Sequence, residues 1–266
     1  MSAGSVLPLN KVYHCNALGV LAMTPEASID LIYVDPPFGT GQKQALARKQ
    51  AGEVLSTIVF EDPDAYYIEW LRNHVEGMHH ALKPTGTMYL HLDHHWVHYA
   101  KVMCDQVFGK ACFLNEVIWA YDYGGRGKRS WPKKHDSILV YAKESGNHVF
   151  NWDDIDRIPY MTPGLQKDPA RAEAGKVPTD VWWMSIVGTA SKERNGYPTQ
   201  KPVKLVERAI LASSPPGGVV MDVFAGSGTT GAAAHKHGRN FILGDVSPQS
   251  IDVMKERFKD IDITWV

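Results

Sequence analysis

The chain has 266 residues, 44% of them hydrophobic, enough to bury a sizeable core in one α/β domain carrying an insertion. Its 28 Lys and Arg against 29 Asp and Glu leave a formal net charge of −1, which excludes a small basic nucleic-acid-binding module and leaves any affinity for polyanions to local patches. Cys15, Cys104 and Cys112 lack paired or metal-type spacing and read as thiols of a reducing cytoplasm. With neither a signal segment nor an apolar run of about eighteen residues in view, secretion and membrane insertion are not expected.

In chain order, a strand over 11–14 and a short helix over 17–22 precede a buried strand at 30–34, rich in β-branched and aromatic residues and broken by proline. A helix over 66–82 leads to a strand at 87–92 and a helix over 94–108. The stretches 116–120 and 137–142 read as a strand pair. After a helix over 202–213 come the strand 219–223, a glycine turn with its helix, the strand 241–243 and a closing helix over 250–258. This alternation predicts a mostly parallel sheet. Two segments do not fit it. The polar start of 39–60 predicts a mobile loop, a lid over whatever binds beside residue 35, or else a solvated connection. The proline- and charge-rich stretch from about 144 to 195 predicts irregular structure.

Asp35-Pro36-Pro37-Phe38 follows the strand at 30–34, so Asp35 sits at a carboxyl tip, the edge where ligands bind in open α/β sheets. The prolines remove two backbone donors and fix φ, which leaves stiff carbonyl acceptors. A planar exocyclic amine is the physical match, donating to the Asp35 carboxylate and the Pro36 carbonyl while its ring stacks on Phe38. Taken alone, the tetrapeptide is equally a proline turn.

Gly226, Gly228 and Gly231 have the G-x-G-x-x-G spacing between a strand and a helix, where backbone can approach a ligand. A nicotinamide dinucleotide and S-adenosylmethionine both suit such a turn, as does a tight turn with no ligand. Asp222 before the glycines would repel a pyrophosphate but engage a cationic aminoacyl end directly or through water. Asp245 lies about twenty residues on, where an acid receives ribose hydroxyls of either cofactor. No second mononucleotide half is expected downstream. These points favour S-adenosylmethionine.

Together, Asp35-Pro36-Pro37-Phe38, then Tyr197-Pro198-Thr199-Gln200-Lys201-Pro202, then Phe224-Ala225-Gly226-Ser227-Gly228-Thr229-Thr230 resemble the amino-methylating DNA methyltransferases, in particular their β class, in which the catalytic motif precedes the target-recognition region and the cofactor motif comes last. The stretches 82–91 and 134–141 look like further family strands, so the resemblance spans nearly the whole chain. It implies a Rossmann-like sheet, mostly parallel with an antiparallel strand. It also implies a catalytic part at 1–143, a target-recognition region at 144–196 and a cofactor-binding part at 197–266. Asp35, Pro36, Pro37 and Phe38 become the catalytic residues. The S-adenosylmethionine set becomes Asn16, Asp35, Thr199, Lys201, Pro202, Asp222, Phe224, Ala225, Gly226, Ser227, Gly228, Thr229, Thr230 and Asp245. At position 16 the family often carries aspartate, and Asn16 can still accept from an adenine amine.

The implied substrate is duplex DNA, with adenine N6 preferred because an opening aspartate is typical of the adenine enzymes, whereas cytosine-N4 enzymes more often open with serine. A homodimer and a cognate restriction endonuclease are both compatible with the family. A nicotinamide-dependent oxidoreductase is the rival of a different class. A silent DNA-binding relative is disfavoured because both motifs are intact.

The loop 123–135 carries Arg126, Lys128, Arg129, Lys133, Lys134 and His135 around glycines and Trp131, a composition suited to phosphates and to stacking, or merely to solvent. His79, His80, His91, His94, His95 and His98 spread over helix faces and a strand, so no metal site is expected. Trp182 and Trp183 read as packing residues, with base stacking the alternative.

Overall fold

The computed structural model describes residues 9–37, 44–50, 53–60, 66–124 and 127–266, with the backbone alone at 44–50 and 53–60. Strand β1 is Lys11–His14, followed by helix α1, Ala17–Met23, and strand β2, Ile29–Val34. Strands β3, Gln44–Gln50, and β4, Glu53–Phe60, pair antiparallel as a separate hairpin where the sequence predicts a loop. Next come α2, Tyr67–Ala81, β5, Leu82–Leu92, α3, Val97–Phe108, β6, Phe113–Ala120, and β7, His135–Ala142. Beyond a six-residue helix α4, Pro169–Ala174, and a short strand β8, Val181–Trp183, the chain continues through α5, Val203–Ser213, and β9, Val219–Asp222. It ends with α6, Thr229–Lys236, β10, Asn240–Asp245, α7, Pro248–Arg257, and β11, Thr264–Trp265.

Nine strands form one sheet in the order β11, β1, β10, β9, β2, β5, β7, β6, β8. Within this sheet, among the described residues, β7 runs against its neighbours β5 and β6, and the other pairings are parallel. The expected mostly parallel sheet with an antiparallel strand is therefore observed.

Side-chain alternation along β2 explains why the sheet is covered on both faces. Ile32 and Val34 pack with Met88, Leu71, Val75 and Met78 on the α1–α3 side. Leu31 and Tyr33 point the other way, into a second core with Leu205, Ile210, Val220 and Phe258. A central strand buried at every position reads as an unbroken apolar run, as 29–34 does apart from Asp30.

Asp30 has its own structural task. Its Oδ2 accepts from Lys83 Nζ at 2.8 Å and from the Val219 backbone N–H at 2.8 Å, tying β2 to β5 and to the start of β9. Replacing Asp30 with Ala removes the acceptor for a buried N–H, and urea unfolding should read a loss of about 2 kcal/mol.

The stretch expected to be irregular is only partly so. Val181–Trp183 joins the main sheet beside β6, and Arg208 on α5 makes paired bonds of 2.8 and 2.7 Å to Asp156, clamping this stretch to the helix. Trp182 is buried in the second core, as its packing reading predicts, whereas Trp183 is 74% exposed. No helix among the described residues is long and apolar enough to cross a membrane.

Candidate active site

Parallel pairing brings the tips of β1, β10, β9 and β2 to one edge of the sheet. His14 pairs with Asp245 and Leu243 with Asp222, so the acids ending β10 and β9 are neighbours, and Asp35 follows β2 beside them. A cavity of about 370 Å³ opens there, within the range of small-molecule sites. Of the residues singled out by sequence, Asn16, Asp35, Pro37, Thr199, Lys201, Asp222, Phe224, Ala225, Gly226, Ser227, Thr229, Thr230 and Asp245 line it. Pro36 is buried beside it. Pro202 is the N-cap position before α5 and Gly228 the one before α6, and neither is in the lining. Phe38 lies outside the described residues.

The glycine turn owes its shape to close packing. Gly226 and Gly228 have φ of 50° and 74°, the left-handed region that favours glycine. A Cβ on Gly226 would sit 3.0 Å from the Tyr197 ring, and one on Gly231 would sit 2.7 Å from Leu243. Arg257, from α7, donates to the Ser227 carbonyl at 2.8 Å and to Thr229 Oγ1 at 3.1 Å, holding the turn from behind.

The two strand-tip acids carry more of this scaffolding than the sequence suggests. Asp222 accepts from the Phe224 N–H at 2.9 Å and from Thr230 Oγ1 at 2.6 Å. Asp245 accepts from the Gly226 and Ser247 N–H groups, each at 2.8 Å. Both oxygens of Asp222 thus brace its own turn, and the residue also lines the cavity. Asn16 likewise has a scaffolding bond while lining the cavity: its Oδ1 accepts from the Gly19 N–H at 2.8 Å and caps α1.

Burial raises the Asp222 carboxyl to about 7, with Asp35 and Asp245 adding to the rise and bonds from Thr230 and Phe224 opposing it. A folded-state value above the ordinary 3.8 means the folded protein holds the proton more tightly than the unfolded chain. This group's contribution to stability is therefore complete below about pH 4 and lost as pH rises to about 7. Denaturant melts at pH 5 and pH 8 should show that difference shrink in Asp222→Asn.

Asp35 is gripped from one side. Lys201 Nζ donates to its Oδ2 in a short ion pair, while Oδ1 is buried without a hydrogen-bond partner among the described residues. The segment bearing Lys201 is stitched by Gln200, whose side chain accepts from the Asn195 N–H at 3.0 Å and donates to the Glu193 carbonyl at 2.7 Å.

Sequence reasoning missed one wall. Trp70 and His74 of α2 meet ring to ring at 4.3 Å, and both pack on Phe224, at 5.7 and 5.4 Å. All three line the cavity, and burial lowers the His74 pKa, favouring its neutral ring. The i, i+4 spacing of two aromatics was the available signal, but it reads as ordinary core. Asp93, His94 and His95 form another unexpected group, with possible ligand atoms within 4.8 Å, although His95 Nδ1 already meets Asp93 Oδ2 at 2.5 Å.

The loop between β6 and β7 is exposed at Lys128, Arg129 and Lys133, and Trp131 is 93% exposed. Lys134 folds back, donating to the Gly124 carbonyl at 3.0 Å, and His135 opens β7. Arg126 lies outside the described residues.

A cavity with three carboxylates, an aromatic wall and a glycine turn fits a cationic ligand with a flat ring, and S-adenosylmethionine has both. Comparison with known proteins agrees. The family model described as DNA methylase, for N6 and N4 enzymes, matches residues 29–256. The DNA adenine methyltransferase YhdJ of Escherichia coli is 31% identical over 249 residues, covering 90% of this chain and 79% of that one. The type II methyltransferase M.HpaI of Haemophilus parainfluenzae is 33% identical over 242 residues, covering 91% and 72%. In fold, the cytosine-N4-specific PvuII DNA methyltransferase matches with a TM-score of 0.70 at 18% identity, covering 97% of this chain and 89% of that one. The complex of M1.HpyAVI with S-adenosylmethionine matches with a TM-score of 0.63 at 19% identity, covering 93% and 98%. Nothing in these findings supports an oxidoreductase. The chain belongs to the N6/N4 DNA methylase family and is an S-adenosylmethionine-dependent DNA amino-methyltransferase.

Proposed function

We propose that the enzyme methylates the exocyclic N6 of an adenine flipped out of duplex DNA, within a specific sequence. The observation that carries the amine clamp is the buried Oδ1 of Asp35 at the cavity's edge, which has no hydrogen-bond partner among the described residues. Lys201 fixes the carboxylate through Oδ2, which leaves Oδ1 to accept one hydrogen of the amine, and the Pro36 carbonyl to accept the other. Those bonds draw the amine nitrogen toward tetrahedral geometry and free its lone pair from the ring. When bound, S-adenosylmethionine supplies a methyl group activated by its sulfonium. Thr199, the 226–230 turn and Asp245 orient the donor, Phe38 stacks on the extruded base, and positioning with electrostatics lowers the barrier. Asp35 need not be a strong base, since the methylated nitrogen sheds its proton readily.

Adenine is favoured by the aspartate that opens the tetrapeptide and by the relative named as an adenine methyltransferase. The PvuII enzyme, cytosine-N4-specific, keeps cytosine as the second reading. The type II relatives support a place in restriction-modification. Residues 144–196 are assigned to target recognition, and 39–60 to a lid beside the clamp.

Single-molecule sequencing of DNA from a host expressing the chain tests the proposal, because it reads base and context together. One recurring motif with a modified adenine at a fixed position is expected. Modified cytosines in its place would overturn the adenine assignment.

The exposed loop cations are assigned to phosphates. Lys128→Ala with Arg129→Ala should weaken DNA binding equally on specific and unrelated duplexes and lower the salt slope by about 2. Titrations at several salt concentrations check this.

A further inference from the structure

Tyr33 sits two residues before Asp35 on β2, is 1% exposed, and touches the cavity. Its hydroxyl lies 3.1 Å from Nδ1 of His91, a fully buried residue of β5. Nε2 of His91 lies 3.1 Å from Asp136 Oδ2, and Asp136 Oδ1 accepts from the Tyr121 hydroxyl at 3.1 Å. Tyr121 lies two residues before the basic loop and Asp136 immediately follows it. The Tyr121 N–H also donates to the Lys134 carbonyl at 2.9 Å, so the loop's neck is closed twice. One continuous chain of side chains therefore runs from that neck, across β7 and β5, to the strand that leads into Asp35. The His91 ring is further fixed edge-on by Trp119, with centroids 5.5 Å apart.

Apolar residues of similar volume would stabilise this part of the sheet about as well as a buried ionisable pair does. What a satisfied polar chain adds is a single geometry, since each member is held in register by bonds to the next. We propose that His91 and Asp136 are positioning residues, which fix the catalytic strand tip relative to the basic loop so that phosphate engagement and the amine clamp form one rigid unit. This rests on the reading of Asp35 as the clamp.

The test uses the full chain with Tyr33→Phe, Asp136→Asn and the double variant. It measures single-turnover methyl transfer to duplex DNA, equilibrium binding of S-adenosylmethionine and of DNA, and thermal melting. Each single variant should slow transfer by about 10- to 100-fold with both affinities nearly unchanged, because a displaced clamp loses rate rather than binding. The double variant should be no slower than the slower single one, since the groups act as one unit. Wild-type rates in Tyr33→Phe would overturn the proposal. So would additive losses that track melting temperature and cofactor affinity, which is what a purely structural role predicts. Should Asp136→Asn fail to fold, Tyr33→Phe, which keeps the His91–Asp136 pair, decides the matter alone. Asp35→Ala run alongside separates the two claims: full transfer in that variant removes the clamp itself, whatever the relay variants do.

Discussion

Asp35→Ala should lose methyl transfer by about 10²- to 10³-fold, the scale seen when a preorganised group acting on developing charge is removed. Binding of S-adenosylmethionine should weaken far less, because most of the cavity is built by the 222–230 segment, Thr199, Asp245 and the Trp70–His74 wall. Some weakening is expected, since the substitution removes both a carboxylate near a cationic ligand and the ion pair that holds Lys201. Asp35→Asn sharpens the test. It keeps a carbonyl acceptor but brings its own amide donors and no charge, so its rate should fall between the two. Single-turnover assays at saturating cofactor separate the chemical step from binding. Full activity in Asp35→Ala would remove the clamp from the mechanism.

Gly228→Val should damage both stability and cofactor binding. The residue has φ of 74°, which a β-branched side chain adopts only under strain, and its Cβ would lie 2.8 Å from Met254 and 3.0 Å from the Phe258 ring. Met254 and Phe258 are buried beneath the turn and have little room to yield. Strain and overpacking together should cost about 3 kcal/mol in denaturant unfolding. Because the same turn lines the cavity on either side of this position, isothermal titration should find S-adenosylmethionine binding reduced to near background. Gly228→Ala, with the same backbone demand and a smaller contact, should show a milder form of both defects.

The framework was legible because a parallel sheet writes itself as apolar runs cut short by proline, glycine or aspartate. The 30–34 run leading into Asp35 and the 219–223 run leading into the glycine turn form central strands whose tips fall at the predicted edge. The hairpin strands at 44–50 and 53–60 were not legible, because the polar residues at the start mask the β-branched, largely apolar stretch Glu53–Phe60 that follows, which lacks a clear period of two. Val181–Trp183 is too short to declare itself as a strand, and it forms because the edge of β6 offers partners.

At the site, spacing located the acids but could not tell where their oxygens point. The oxygens of Asp222 bond to Thr230 and Phe224 within its own turn. The helix α3 begins at Val97, later than periodicity predicts, because Asp93 Oδ1 accepts from the His95 N–H and forms a turn in front of it. The His91–Asp136 contact joins residues on adjacent strands that are far apart in sequence. Only the pairing of β5 with β7 brings them together.

The central claim is that Asp35 and its neighbours clamp the exocyclic amine of adenine. Its most direct test is mass spectrometry of nucleosides from duplex DNA incubated with the purified chain and S-adenosylmethionine carrying a labelled methyl group. Label in N6-methyladenine, absent when Asp35→Ala replaces the wild type, is the predicted result. Label in N4-methylcytosine, or label in N6-methyladenine that survives loss of the carboxylate, would contradict it.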